Sequence, residues 1–140
     1  MKYLLDSNVC VDYLTGRFPQ VKERIHSLMP EDLCLSSIVV AELRYGADKS
    51  EKARHNHALL DVLTGELPCR DFDAAAAAAY GKLRASLEKK GKPIGPNDML
   101  IAAHAVSLRL VLVTDNVNEL KRVEGLKLEN WREPRAPVTR

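Results

Sequence analysis

Asp6, Glu42, Asp98 and Asp115 are the side chains of this sequence best placed to do chemistry together. Asp6 closes the apolar run Tyr3-Leu4-Leu5, and Asp115 closes a stronger one from Leu110 to Thr114. Glu42 follows Leu33-Cys34-Leu35-Ser36 by less than two helical turns, and Asp98 stands near a predicted helix start after Pro93-Ile94-Gly95-Pro96-Asn97. In open parallel sheets, ligands bind outside the carboxyl ends of the strands, so acids far apart in sequence would meet at one edge. Carboxylates gathered in this way repel one another unless a hard divalent cation neutralises them, and an all-oxygen donor set suits Mg2+ or Mn2+. The chemistry indicated is metal-dependent phosphodiester hydrolysis. Two ions about 4 Å apart, or one ion taking a subset of the roles, activate water and steady the leaving oxygen. Singly, each acid has a plainer reading: Asp98 as an acid serving its own helix dipole, Glu42 as a surface acid, Asp115 as a turn former. Only their convergence favours the chemical one.

The elements that would position these acids alternate. Residues 2–6, 33–36 and 110–114 read as buried strands, with 67–72 and 126–131 as further short ones; unbroken apolar runs of this kind suit parallel strands covered on both faces. Helices are predicted over about 9–15, ended by Gly16, and from Pro19 to Pro30 with Val21, Ile25, Leu28 and Met29 on one stripe. A third starts at Ser36 or Ser37, carries Val39, Val40, Leu43 and Tyr45, and ends near Gly46. Others cover 51–64 with Ala58, Leu59, Val62 and Leu63, then 74–90 capped by Asp73, 98–109, and one or two turns at 117–123. Strands alternating with helices give an α/β fold, a three-layer α/β/α sandwich around a central, mainly parallel sheet.

At 140 residues the chain reads as one domain, residues 1–131, with a loosely ordered tail at 132–140 that contains two prolines. Its 46% hydrophobic and 29% charged content is that of an ordinary globular protein. A net charge of +2 does not announce a nucleic-acid binder, yet Lys82, Arg84, Lys89, Lys90 and Lys92 crowd one stretch that could steer an anionic partner or simply face solvent. Cys10, Cys34 and Cys69 lack metal-site spacing and are expected to be buried free thiols in a reducing compartment. With neither a leader-like start nor a run of about 20 apolar residues, a cytoplasmic location is expected. No glycine-rich phosphate loop or nucleophile-elbow pattern is present. His55 and His57 would point to different sides of a helix, and His104 reads as a satisfied core histidine.

Taken together these segments resemble the PIN-domain ribonucleases, in the form found in VapC-type toxins. Leu4-Leu5-Asp6-Ser7-Asn8 resembles the first motif and Ser37 to Gly46, containing Glu42, the second. Pro93 to Ala105, containing Asp98, is similar to the third, and Leu112-Val113-Thr114-Asp115-Asn116 with Glu119 to Leu126 to the fourth; Glu129-Asn130-Trp131 matches the usual ending. The resemblance implies a PIN-like fold and an endoribonuclease toxin that needs Mg2+ or Mn2+. It also implies a homodimer and a VapB-like antitoxin whose tail blocks the acidic pocket. Asp6, Glu42 and Asp98 match the first three acids of the family. For the fourth, Asp115 and Glu119 compete, with Asn116 able to offer its amide oxygen. Thr114 and Ser7 are expected to orient a carboxylate or water. The resemblance further implies cleavage of structured RNA, including the anticodon stem-loop of initiator transfer RNA, for which Arg44, Lys82, Arg84 and Lys92 are candidate contacts. Two other readings stand beside it. One is a PIN-like module that binds RNA or a partner without cutting. The other is an α/β phosphohydrolase with an aspartyl nucleophile, which would want a second Asp where this chain has Asn8.

Overall fold

The computed structural model describes residues 1–133, and residues 134–140 of the expected tail lie outside them. Five short strands, β1 (Tyr3–Leu5), β2 (Leu33–Ser36), β3 (Cys69–Arg70), β4 (Val111–Val113) and β5 (Lys127–Glu129), form one sheet in the order β3-β2-β1-β4-β5, with every pairing parallel. In register, Leu4 faces Cys34 on one side and Leu112 on the other, and Leu5 faces Val113. Leu4, Leu5, Leu35, Leu112 and Val113 are fully buried, so the central strands are covered on both faces. The strand order runs outward from β1 to β3, then returns across β1 to β4. The switch point, where a parallel sheet opens a crevice, therefore lies between the carboxyl ends of β1 and β4.

Seven α-helices flank the sheet: α1 (Ser7–Thr15), α2 (Pro19–His26), α3 (Ser37–Lys49), α4 (Ala53–Glu66), α5 (Ala74–Lys89), α6 (Pro96–Leu108) and α7 (Val117–Leu120). Asp6, Ser36 and Asp73 cap α1, α3 and α5 through side-chain oxygens that accept backbone N–H groups. Gly16 ends α1 at φ +70°, a conformation its missing Cβ permits, and its N–H returns to the Asp12 carbonyl. Because only Asp6 separates β1 from α1 and α3 follows β2 directly, Asp6 and Glu42 are held by rigid joints rather than loops.

Several expectations need correction in detail. Helix α3 continues through Gly46 to Lys49. Helix α2 ends at His26, which leaves Met29 exposed rather than on an apolar stripe. Tyr45 and Val62, expected on inward faces, are 66% and 56% exposed, and Ala58 is exposed; α4 packs through Leu60 and Leu63 instead. Cys10 and Cys34 are buried free thiols, but Cys69 on the edge strand β3 is exposed. Burial raises the Cys34 thiol pKa to about 11 and pushes Cys10 higher still. Truncating the central strand tests how far the fold depends on it: Leu112→Ala is expected to lower unfolding free energy by about 2–5 kcal/mol. Urea denaturation reads the change, and a loss below 1 kcal/mol would contradict the central place given to β4.

Candidate active site

Asp6 leaves the end of β1 directly into the switch point. Its backbone N–H donates to the Val113 carbonyl at 3.0 Å, tying the ends of β1 and β4 together. One carboxylate oxygen accepts the Ser7 N–H at 2.7 Å and the other the Thr114 hydroxyl at 2.8 Å. Only 7% of Asp6 is exposed and Thr114 is fully buried. Burial is the main reason that the Asp6 pKa rises from 3.8 to about 6; the bonds from Thr114 and Ser7 oppose the rise, and the charges of Asp98 and Glu42 add to it.

Glu42 enters from the second turn of α3. It accepts the Ser7 hydroxyl at 2.9 Å on one oxygen and the Asn97 amide at 3.2 Å on the other. Asp98 sits in the first turn of α6, where the helix dipole favours an anion. Its pKa is nonetheless raised, first by burial and then by Glu119, Glu42 and Asp115, against the lowering hydrogen bond from Asn116. The Asn116 amide nitrogen donates to both Asp98, at 2.9 Å, and Glu119, at 3.1 Å, while its backbone N–H donates to the Thr114 hydroxyl at 3.1 Å.

Asp115 faces elsewhere. Its two oxygens accept the Asn8 amide at 3.1 Å and Arg132 Nη1 at 3.0 Å. The same guanidinium grips Asp12 on α1, with Nε at 2.6 Å and Nη2 at 3.0 Å. Of the two acids competing for the fourth place, Glu119 shares a hydrogen-bond donor with Asp98, whereas Asp115 is tied to an arginine. Sequence reasoning gave no role to Asn97, Asn8, Asp12 or Arg132. Asp12 did carry a signal, since an acid among Val9, Cys10 and Tyr13 on a helix that packs inward calls for a buried cation.

The donor set is hard oxygen and its negative charge is incompletely compensated, which fits a divalent cation with Asp6, Glu42, Asp98 and Glu119 as the side chains that would hold it. The fit is partial in one respect. Among the described residues, no three His, Cys, Asp or Glu side chains stand close enough to share one ion as placed. The bridging amides of Asn97 and Asn116 sit between the acids, and a shared ion requires those amides to turn or yield. Of the candidate RNA contacts, Arg44 pairs with Asp61 at 2.8 Å and bonds His57, and Arg84 bonds Glu88 at 2.8 Å and Tyr80 at 3.0 Å. Lys92 is exposed in the loop before α6, and Lys82 lines a groove of about 600 Å³ between α5 and α6 that none of the five acids reaches.

An all-parallel five-stranded sheet flanked by helices, with carboxylates grouped around its switch point, places the protein among the PIN-like α/β folds. The chain belongs to the PIN domain family, whose pattern matches residues 3–126, and within it to the VapC group. It is 40% identical over 131 residues to a Shigella flexneri protein named tRNA(fMet)-specific endonuclease VapC, spanning 94% of this chain and 98% of that one. It is 44% identical to Ribonuclease VapC2 of Rickettsia felis over 133 residues, again 94% and 98%. Among solved structures, VapBC2 from Rickettsia felis bound to a promoter DNA fragment matches with TM-score 0.86 and 41% identity, covering 94% of this chain and 99% of that chain. DNA-bound VapBC from Salmonella typhimurium matches with TM-score 0.89 and 38% identity, covering 94% and 98%.

The raised Asp6 pKa has a stability consequence in EDTA. An unfolded Asp titrates near 3.8, so between there and about 6 the folded protein holds a proton that the unfolded chain has released. The stabilisation is full below 3.8 and is lost as pH rises through 6, on the order of 3 kcal/mol at 1.36 kcal/mol per unit. His104 works in the opposite sense. It is fully buried, its Nδ1 pairs with the Ser36 hydroxyl at 2.8 Å, its Nε2 lacks a partner among the described residues, and burial lowers its pKa. The difference between wild type and Asp6→Asn isolates the aspartate. Urea midpoints from pH 4 to 7 should fall in the wild type relative to the variant, and parallel profiles would refute the assignment.

Proposed function

We propose that this chain is a Mg2+- or Mn2+-dependent endoribonuclease, the toxin of a type II toxin–antitoxin pair, acting in the cytoplasm on structured RNA. The observation that carries the reading is the placement of Asp6, Glu42, Asp98 and Glu119 around the switch point, each held by a hydrogen bond from Ser7, Thr114, Asn97 or Asn116. Relatives named as VapC ribonucleases support the activity, and the name of the Shigella flexneri relative supports initiator transfer RNA as the substrate. Solved VapBC complexes support a VapB-like antitoxin as partner, within a homodimer-based assembly. The exposed apolar side chains Val11, Tyr45 and Val62 offer area for protein contacts. No helix among the described residues is long and apolar enough to cross a membrane.

In this reading Asp6 is the central ligand, held rigidly between the end of β1 and the start of α1. Thr114 and Ser7 hold both of its oxygens, so the carboxylate cannot rotate away. Ser7 and Asn97 do the same for Glu42, and Asn116 holds one oxygen each of Asp98 and Glu119. Asp6, Glu42, Asp98 and Glu119 would hold a divalent cation, whose chemistry would be charge neutralisation at phosphate and a lowered pKa for water. Because Arg44 and Arg84 are engaged by neighbouring side chains, the RNA backbone is more simply met by Lys82 and Lys92. The second reading, a module that binds without cutting, draws on the spacing of the acids, which as placed do not converge on one point.

Purified, antitoxin-free protein should cut total transfer RNA into discrete products with Mn2+ and not in EDTA. Asp6→Asn should lower the rate at least a hundredfold while RNA binding persists. Thr114→Val, which removes the bond to Asp6 and the acceptor for the Asn116 N–H, should lower it about ten- to a hundredfold with the fold intact by circular dichroism. Folded wild-type protein that binds RNA but yields no products would favour the binding module.

A further inference from the structure

Arg132 lies beyond the span matched by the family pattern, yet it is one of the most engaged side chains in the protein. Its guanidinium grips the carboxylate of Asp12, which is 1% exposed, through two nitrogens, and uses the third on Asp115. The plane lies 4.5 Å from the centroid of the Phe18 ring, and Gln20 donates to the Arg132 carbonyl. One cation thus faces two carboxylates, and its side chain is fixed by α1, by Phe18 and by the turn after β4. That turn distributes three consecutive residues in three directions: Thr114 to Asp6, Asp115 to Arg132 and Asn8, Asn116 to Asp98 and Glu119.

We propose that Arg132 is a positioning residue that selects the fourth acid of the site: it holds the Asp115 carboxylate aside, so that Asn116 and Glu119, and not Asp115, complete the acidic pocket. The inference rests on the metal-site reading above and goes beyond it. Besides Asp12, five carboxylates lie around this end of the sheet, and a hard cation accepts whichever oxygens reach it. An unpaired Asp115, one residue from Asn116, would compete as a ligand and add negative charge where an RNA phosphate must approach. A guanidinium is suited to preventing this because its planar fork serves two carboxylates at once, which an ammonium on a flexible stem does not.

The test compares wild type, Asp12→Asn/Arg132→Gln, the same pair with Asp115→Asn, and Arg132→Lys. Removing Asp12 together with Arg132 avoids leaving a buried charge unpaired. Mn2+ binding is followed by calorimetry and cleavage by the transfer RNA assay. In the double variant, Mn2+ should bind as tightly or severalfold more tightly while cleavage falls about ten- to a hundredfold. Adding Asp115→Asn should restore both to near wild type, and Arg132→Lys should shift both in the same direction by a smaller factor. A role limited to holding the fold predicts otherwise: Mn2+ affinity and melting temperature would fall together, and Asp115→Asn would rescue neither. That pattern, or a double variant indistinguishable from wild type, overturns the proposal; if the double variant does not fold, Arg132→Lys decides by the same split. Wild-type protein that neither binds Mn2+ nor cuts overturns the metal-site reading itself, and this proposal with it.

Discussion

A carboxylate buried at the junction of two parallel strands organises this protein. Asp6 is held between the ends of β1 and β4 by its own backbone, by Ser7 and by Thr114. Burying a carboxylate is unfavourable unless it is well hydrogen-bonded or paired, and here the bonds reduce that cost without removing it, as the raised pKa records. The sheet order, the direct passage from β1 into α1, and the arrival of Thr114 at the end of β4 all serve to hold that one charge in a defined place. The remaining acids are arranged around it by residues that donate rather than by counter-charges, which leaves the pocket negative and receptive to a cation.

The same end of the sheet handles its acids in two different ways. Asp6, Glu42, Asp98 and Glu119 are held by hydroxyls and amides, neutral donors that fix orientation while leaving charge in place. Asp12 and Asp115 are held by a guanidinium, which removes their charge from play. The division follows from three adjacent residues after β4 that point in three directions, and it separates acids met by neutral donors from acids paired with a cation.

Much of this was legible in the sequence because the signals were local. Unbroken apolar runs located the central strands, and an acid ending each of two runs located the edge where they meet. Ser36 and Asp73 marked helix starts through their capping chemistry. Legibility failed where partners were distant or where surface replaced core. Arg132 read as part of a polar tail because nothing near it in sequence reveals Asp12. Asp115 looked equivalent to Glu119 because side-chain direction after a strand depends on a turn that periodicity does not describe. Tyr45 and Val62 were assigned inward because an apolar residue on a helix says little about which neighbour covers it. Cys69 was assigned to the interior because a two-residue edge strand looks, by composition alone, like the start of a longer one.

Residues from the first and last parts of the described chain are joined at the site, and this orders events in time. Asp6 meets Thr114 108 residues later, and Asp12 meets Arg132 120 residues later. Tyr3, at the start of β1, packs edge-on against Trp131 with ring centroids 5.1 Å apart. Contacts of such sequence separation form late, because a long loop must close before they can hold. During synthesis Asp6 and Ser7 emerge long before Thr114 and Arg132, so the bonds that complete this end of the sheet can close only after residue 132 has been made.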